Sequence, residues 1–279
     1  MRFQYLGTAA AEGFPAMFCN CESCKRARAA GGKSLRTRSQ AVIDNRLLID
    51  FPADTCIHVM RDHIPLHAIH TCLITHSHSD HLYAPDLEMR HTPYAQLSDP
   101  APLTLYSTLE AGRSIDEVIR TNGLAREQRV FHQTVTPFVS FQADGYTITP
   151  LPANHAPETG PVIYAITDGD KTVLYAHDTG WFPDETWRWL RGNHPHFDLV
   201  SLDCTGGTLP GWIHRHMSLD TNIRVRDQLR AFGCVDETTR VVLNHFSHNV
   251  GAGLLYEEMA EAAAACGMEV SYDGLVIQL

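Results

Sequence analysis

A chain of 279 residues with 44% apolar side chains can bury a sizeable core, as one large α/β unit or two small ones. Its formal charge of −10 argues against a general nucleic-acid or membrane-surface binder, although bound cations can reverse the field locally for an anionic substrate. No apolar run reaches the roughly 18 residues that span a bilayer.

The N-terminal Met-Arg-Phe-Gln-Tyr-Leu-Gly reads as a strand without a signal-peptide core. A cytoplasmic location, with the eight cysteines reduced, is therefore expected. Short β runs follow at 3–6, 40–43 and 46–49, with Asp44-Asn45 as a hairpin turn. Residues 29–38 read as flexible, but too short for a linker. A helix is expected from 52 to about 61, a buried strand at 73–75 and a helix from 79 to about 90. Next come a strand at 103–106 and a helix capped by Thr108 that carries Leu109, Ile115, Val118 and Ile119. The middle is β-rich, with runs at 134–142, 146–151, 162–167 and 172–175, and a turn at Asp168-Gly169-Asp170. A helix at 183–191 ends at Gly192, and a strand covers 199–203. Ser218 caps a helix carrying Leu219, Ile223, Leu229 and Phe232. A strand at 241–243, a helix at 254–266 closed by Gly267, and strands at 269–272 and 275–278 complete the chain. No repeat or low-complexity tract interrupts it. One domain over 1–279 is expected, with sheets inside and helices outside.

The densest chemistry follows the apolar run Thr71-Cys-Leu-Ile-Thr75: His76-Ser-His78-Ser-Asp80-His81. Neutral imidazole and carboxylate are the usual ligands of zinc and similar divalent ions. His76 and His78 alternate along extended chain and can face one side. Asp80 and His81 must point elsewhere, which suggests two adjacent metal sites. Further candidates each end an apolar β run: His155, Asp178 and His245. Any one of them alone is more often a satisfied core or surface residue.

These motifs, in this order and spacing, resemble the metallo-β-lactamase superfamily along nearly the whole chain. The resemblance implies a four-layer αββα sandwich. It also implies that His76, His78 and His155 bind one metal, that Asp80, His81 and His245 bind a second, and that Asp178 bridges them. The mixed His/Asp set tolerates manganese, zinc or iron.

A second cluster, Cys19-Asn-Cys21-Glu-Ser-Cys24, reads as thiolate ligands of a structural zinc in a loop at about 19–24. Its neighbourhood has no fourth cysteine, and His248, three residues after His245, is the candidate. With Leu6-Gly7-Thr8 and His245-Phe-Ser-His248, the cluster is similar to the phosphoribosyl cyclic phosphate phosphodiesterase branch of the superfamily. That branch implies a zinc tying the N-terminal loop to the loop carrying His245. Cys56, Cys72, Cys204, Cys234 and Cys266 are expected in the core.

Two divalent ions bring four positive charges. Asp80, Asp178 and a bridging hydroxide remove three, and the remainder suits a monoanionic phosphodiester. Asp80 and Asp178 are thus catalytic as well as ligating. The leaving oxygen needs a proton, and His216 is the preferred donor, with His214 as the competing choice. The resembling phosphodiesterases use a histidine of this segment against the phosphate. Arg215 is either an anion contact or simply solvated. His58, His63, His67, His70, His91, His132, His177, His194 and His196 are expected to be structural or surface residues. The leading expectation is a metal-dependent hydrolase of a small phosphodiester, cyclic ones included. The alternatives are a thioester or lactone hydrolase, an RNA- or DNA-processing nuclease, and a non-catalytic metal-binding accessory protein. No membrane partner is expected, nucleic acid is disfavoured by charge, and a homodimer is admitted.

Overall fold

The computed structural model describes residues 1–99, 101–249 and 253–279. Strands β1 (Arg2–Gly7), β2 (Gln40–Ile43), β3 (Leu47–Ile49), β4 (Thr71–Leu73), β5 (Leu103–Ser107) and β6 (Val130–Thr134) lie side by side in that order. Strands β7 (Phe141–Ala143), β8 (Tyr146–Pro152), β9 (Val162–Thr167), β10 (Thr172–Ala176), β11 (Leu199–Asp203), β12 (Arg240–Asn244) and β13 (Glu269–Val270) form the second sheet, again in sequence order. β14 (Val276–Gln278) returns to the first sheet and pairs antiparallel with β1. Each sheet joins an antiparallel half to a parallel half of four strands, β3 to β6 and β10 to β13.

Alternation along the strands decides what each sheet face touches. β2 turns Ala41 and Ile43 into the space between the sheets and Val42 outward. β10 does the same with Val173 and Tyr175 against Leu174 and Ala176. The inner faces form one core with Phe3, Tyr5, Tyr146 and Tyr164. Outside the first sheet lie α2 (Thr55–Asp62) and α3 (Leu109–Thr121), which carries buried Ala111 and Ile115. Outside the second lie α4 (Asp184–Asn193), α5 (Leu219–Ala231) and α6 (Tyr256–Ala264), with Leu190, Leu229 and Met259 packed inward. This is the αββα sandwich expected. Among the described residues no helix is long and apolar enough to cross a membrane.

Several local expectations fail for identifiable reasons. Residues 79–90 hold no α-helix: a turn carries Asp80 and His81, and a 3₁₀ segment follows over Ala84–Arg90, entered through Pro85. The run 134–142 is not one strand, since Pro137 interrupts it and β6 ends at Thr134. The stretch 29–38 is ordered. It ends α1 (Glu22–Ala30), a helix hidden in the sequence by the cysteine cluster, and continues into buried Arg36. The Arg36 guanidinium donates to Thr8 Oγ1 and the Ser271 carbonyl and stacks on Phe246. The helix expected at 254–266 is shorter, and α4 runs through Gly192 to Asn193. Neither Thr108 nor Ser218 caps its helix with its side chain: Thr108 donates to the Gly160 carbonyl and Ser218 to Asp220. Cys56 is exposed on α2 and Cys266 half-buried, so neither belongs to the core.

Gly7 ends β1 at a register shift against β2. A Cβ there would lie 1.8 Å from the Arg38 carbonyl oxygen. Backbone cannot swing aside as a side-chain tip can, so Gly7→Ala should cost about 3 kcal/mol. Urea unfolding should report this as a lower midpoint at unchanged slope.

Candidate metal centre

The expected ligands all lie just beyond strand ends on one edge of the sandwich. The His76–His81 segment follows β4, His155 follows β8, Asp178 follows β10 and His245 follows β12. The segment after β4 is anchored from below. Tyr164 donates its hydroxyl to the Ile74 carbonyl, and the Thr75 amide and hydroxyl both donate to Asp50 Oδ1 at 2.8 Å. Asp50, Asp178 and His245 have φ of 67°, 53° and 62°, in the left-handed region that non-glycine residues seldom adopt. Such strain persists only where surrounding contacts fix it, and it concentrates at functional sites.

Two four-residue groups meet at Asp178. His76, His78, His155 and Asp178 each offer one ligand atom within 4.8 Å of the others, and so do Asp80, His81, Asp178 and His245. His76 Nε2 is 3.1 Å from Asp178 Oδ2, and His155 Nδ1 is 3.1 Å from Asp178 Oδ1. The rings of His76, His78 and His155 lie edge-on to one another at 4.7 to 5.0 Å between centroids. On the other side, His81 Nε2 is 3.3 Å from Asp80 Oδ2 and 3.4 Å from Asp178 Oδ2.

The donor set fits divalent cations on two observations. First, His76 Nε2 and Asp178 Oδ1 are buried and make no hydrogen bond despite their close neighbours. They converge on a point rather than on each other. Second, His81 Nδ1 lies 2.7 Å from Asp50 Oδ2, and His245 Nδ1 lies 3.2 Å from Asp203 Oδ2. Asp50 holds the proton on His81 Nδ1, and Thr205 Oγ1, 2.9 Å from His245 Nδ1 and itself bonded to Asp203, does the same for His245, which turns the two Nε2 atoms toward each other at 3.2 Å. A proton or a metal ion between them makes that arrangement favourable.

The electrostatics agree. Burial pushes the Asp178 carboxyl up, but His245, His216 and His76 outweigh it and hold it well below the usual carboxylate range. Burial disfavours the charged His81, yet Asp50 and Asp80 reverse this and hold it well above the usual imidazole range, so without an ion a proton takes the place on Nε2 that a bound cation would displace. Burial lowers His155 to about 4, which keeps it neutral as a ligand must be.

His216 joins this centre, whereas His214 is exposed and belongs to no such group. His216 Nδ1 is 3.1 Å from Asp178 Oδ1 and 3.2 Å from Asp203 Oδ2. Burial disfavours its charge, but Asp203 and Asp178 raise it to about 10. Asp178, Asp203, His216 and His245 could be read as a third cation group. Asp203 argues against that, because its oxygens already accept from the Thr205 amide and hydroxyl and the Met217 amide as well as facing the two imidazoles. Asp203 and Asp50 went unnoticed in the sequence. The signal was present in both: each closes an apolar strand run, Leu47-Leu-Ile-Asp50 and Leu199-Val-Ser-Leu-Asp203.

The cysteines form a separate group with His248. His248 Nδ1 is 3.7 Å from Cys19 Sγ and 3.6 Å from Cys21 Sγ. Cys21 sits at the start of α1, and a backbone hydrogen bond from Cys24 lowers its thiol to about 6. Three thiols and an imidazole are a usual zinc donor set.

Other histidines stand apart from these groups. His177 is buried beneath the centre, with Ser201 Oγ at 2.6 Å from Nε2, and Asn244 Nδ2 and Ser39 Oγ near Nδ1. His58 is buried against Thr37 and Gln40. His70, His91 and His196 pair with surface carboxylates, and His194 ends α4. His132 lies between Ser107 Oγ and Asp116 Oδ1, each at 2.9 Å. Ser107 is fully buried and donates to the Thr108 carbonyl, so the trio fastens β6 to α3.

A sequence-family model described as the β-lactamase superfamily domain matches residues 45–246. No curated protein sequence matches the chain. Among solved structures, the fold is similar to a new diphosphatase from the PhnP family (23% identity, TM-score 0.75, covering 100% of this chain and 97% of that one). It is equally similar to zinc-bound PqqB from Methylobacterium extorquens (20%, 0.75, 100% of both chains). Human tRNase Z, short form, is more distant (18%, 0.65, 100% of this chain and 99% of that one). The matched family model, the twin mirrored sheets and the histidine–aspartate edge agree: the chain belongs to the β-lactamase superfamily and carries its metallo-β-lactamase fold.

Proposed function

We propose that the protein is a metal-dependent hydrolase acting on a small phosphodiester, cyclic ones included. In this reading His76, His78 and His155 would hold one ion, Asp80, His81 and His245 a second, and Asp178, common to both groups, would serve both. Cys19, Cys21, Cys24 and His248 hold a structural zinc. Bound divalent ions at the edge site supply positive charge for phosphoryl oxygens and acidify water at neutral pH. Manganese, zinc and iron all suit the His/Asp donors.

The observation that carries the reading is the Asp178–His216–Asp203 contact. Asp203 Oδ2 accepts from His216 Nδ1, the Asp178 charge beside it favours the imidazolium, and no described residue engages the second proton, on Nε2. His216 is thus a proton donor beside the point where a phosphoryl group would sit. Water attacks phosphorus and gives up one proton to solvent, the P–O bond to the leaving oxygen breaks, the His216 Nε2 proton passes to that oxygen, and His216 regains a proton from solvent. Hydrolysis of a lactone or thioester needs this donor less, because a carbonyl accepts attack before any group departs. The acidic surface likewise favours a small anion over a nucleic acid.

The test is turnover of bis(p-nitrophenyl) phosphate against lactone and thioester panels by manganese- or zinc-loaded protein. Phosphodiesterase activity is expected. Lactone or thioester turnover without it would overturn the proposal. His216→Ala should keep its metal and lose about 10² to 10⁴ in kcat on alkyl phosphodiesters. The loss should be much smaller for p-nitrophenolate, which departs without a proton.

A further inference from the structure

The segment 205–217, between β11 and α5, carries His216 and also Trp212. A Cβ on Gly206 would lie 2.7 and 2.8 Å from Trp212 Cγ and Cδ2, so the indole rests directly on bare backbone. Its centroid is 6.3 Å from that of His216, with the planes 44° apart. The backbone beneath it is fixed twice. Thr221 Oγ1 donates to the Trp212 carbonyl at 2.6 Å, and the Trp181 amide donates to the Ile213 carbonyl at 2.8 Å. Gly180 permits the second contact, since a Cβ there would meet the Ile213 oxygen at 2.3 Å. Among the described residues His216 is the one ring near the indole, and the residue is only half-buried. Arg215, three residues on, is exposed in a left-handed conformation (φ 63°), and its carbonyl faces His155 Nδ1 at 3.2 Å.

We infer that Trp212 is a stacking platform for a flat, conjugated group on the substrate, placed on the leaving-oxygen side of the site. The inference rests on the phosphodiesterase reading and names the substrate class: a phosphodiester carrying a nucleobase or another aromatic ring. An indole packed on glycine, on a backbone held at two points and near the ring of His216, has much of its ordering entropy already lost. Stacking a conjugated ring on such a face strengthens binding roughly tenfold, whatever the ring's hydrogen-bonding edge. The exposed cation of Arg215, in the same segment, complements a phosphate-bearing ligand.

Three substrates with one reacting centre test this on the metal-loaded protein: adenosine 2′,3′-cyclic phosphate, p-nitrophenyl ribofuranoside 2′,3′-cyclic phosphate and methyl ribofuranoside 2′,3′-cyclic phosphate. The KM of at least the adenosine compound should lie about tenfold below that of the methyl compound. A gain for both ring compounds assigns any conjugated ring, and a gain for adenosine alone assigns a nucleobase. Trp212→Phe should keep most of the ratio, and Trp212→Ala should abolish it. Equal KM values in the wild type, or a ratio that survives Trp212→Ala, would overturn the inference. If none of the three is turned over, bis(p-nitrophenyl) phosphate decides the phosphodiesterase reading separately, and calorimetry decides on Trp212. Adenosine 2′-phosphate should then bind about tenfold tighter than methyl ribofuranoside 2-phosphate, and the difference should vanish in Trp212→Ala. Equal binding would refute the platform.

Discussion

Replacing Asp178 by Asn should abolish hydrolysis, by roughly 10³-fold or more, while leaving the fold intact. Asp178 lies 3.1 to 4.0 Å from His76, His81, His155, His216 and His245, at the junction of both ligand groups. Its φ of 53° makes the choice of variant matter. Asn tolerates the left-handed region almost as well as Asp, whereas Ala would add backbone strain and blur the result. Asn keeps the shape and removes the charge that offsets two cations and the imidazolium of His216. Elemental analysis should find about three metal ions in wild type and one, at the thiolates, in the variant. Two ions still at the edge with near-normal turnover would show that Asp178 does not bridge.

Cys21→Ala should act on stability rather than chemistry. Cys21 and His248 are 227 residues apart in the chain, so an ion held between them closes a very long loop. The loop is also held by backbone bonds, from the Ala10 amide to the Phe246 carbonyl and from the Phe246 amide to the Thr8 carbonyl. These contacts keep the expected loss moderate, at about 3 kcal/mol. For a chain of this size that lowers the melting temperature by roughly 6 to 12 °C. Scanning calorimetry should show the drop, and a strong chelator, which removes all three ions, should lower wild type at least as far. Turnover well below the transition should change much less than in Asp178→Asn. A variant that melts with wild type and retains its full metal content would remove the cysteines from the metal scheme.

The centre was legible where a ligand ends an apolar strand in a dense motif, as at His76–His81. Its remote members gained meaning only jointly, through their order along the chain. What stayed hidden was the supporting layer. Asp50 and Asp203 carry no motif, and their role depends on which imidazole nitrogen they face, a fact of three-dimensional packing. Layered packing with sheets inside was readable from strand and helix periodicity and its four-layer form from the family resemblance, but local geometry around the ligands was not. The segment 79–90 has helical composition, yet the turn that aims Asp80 and His81 overrides propensity. The helix α1 was hidden because it starts inside the cysteine motif, with Cys21 at its N-terminus and Cys24 in its first turn.

One feature of the topology reaches beyond catalysis. The His76–His81 segment and the cysteine loop hang from the first sheet, while His155, Asp178, His245 and His248 hang from the second. Each of the three ions proposed here would therefore be a rivet between the two halves of the sandwich. Metal affinity and sheet docking would then be one linked equilibrium: whatever pulls the sheets apart releases the ions, and each ion bound resists their parting. Metal supply in the cell would thereby set the lifetime of the folded protein as well as its activity.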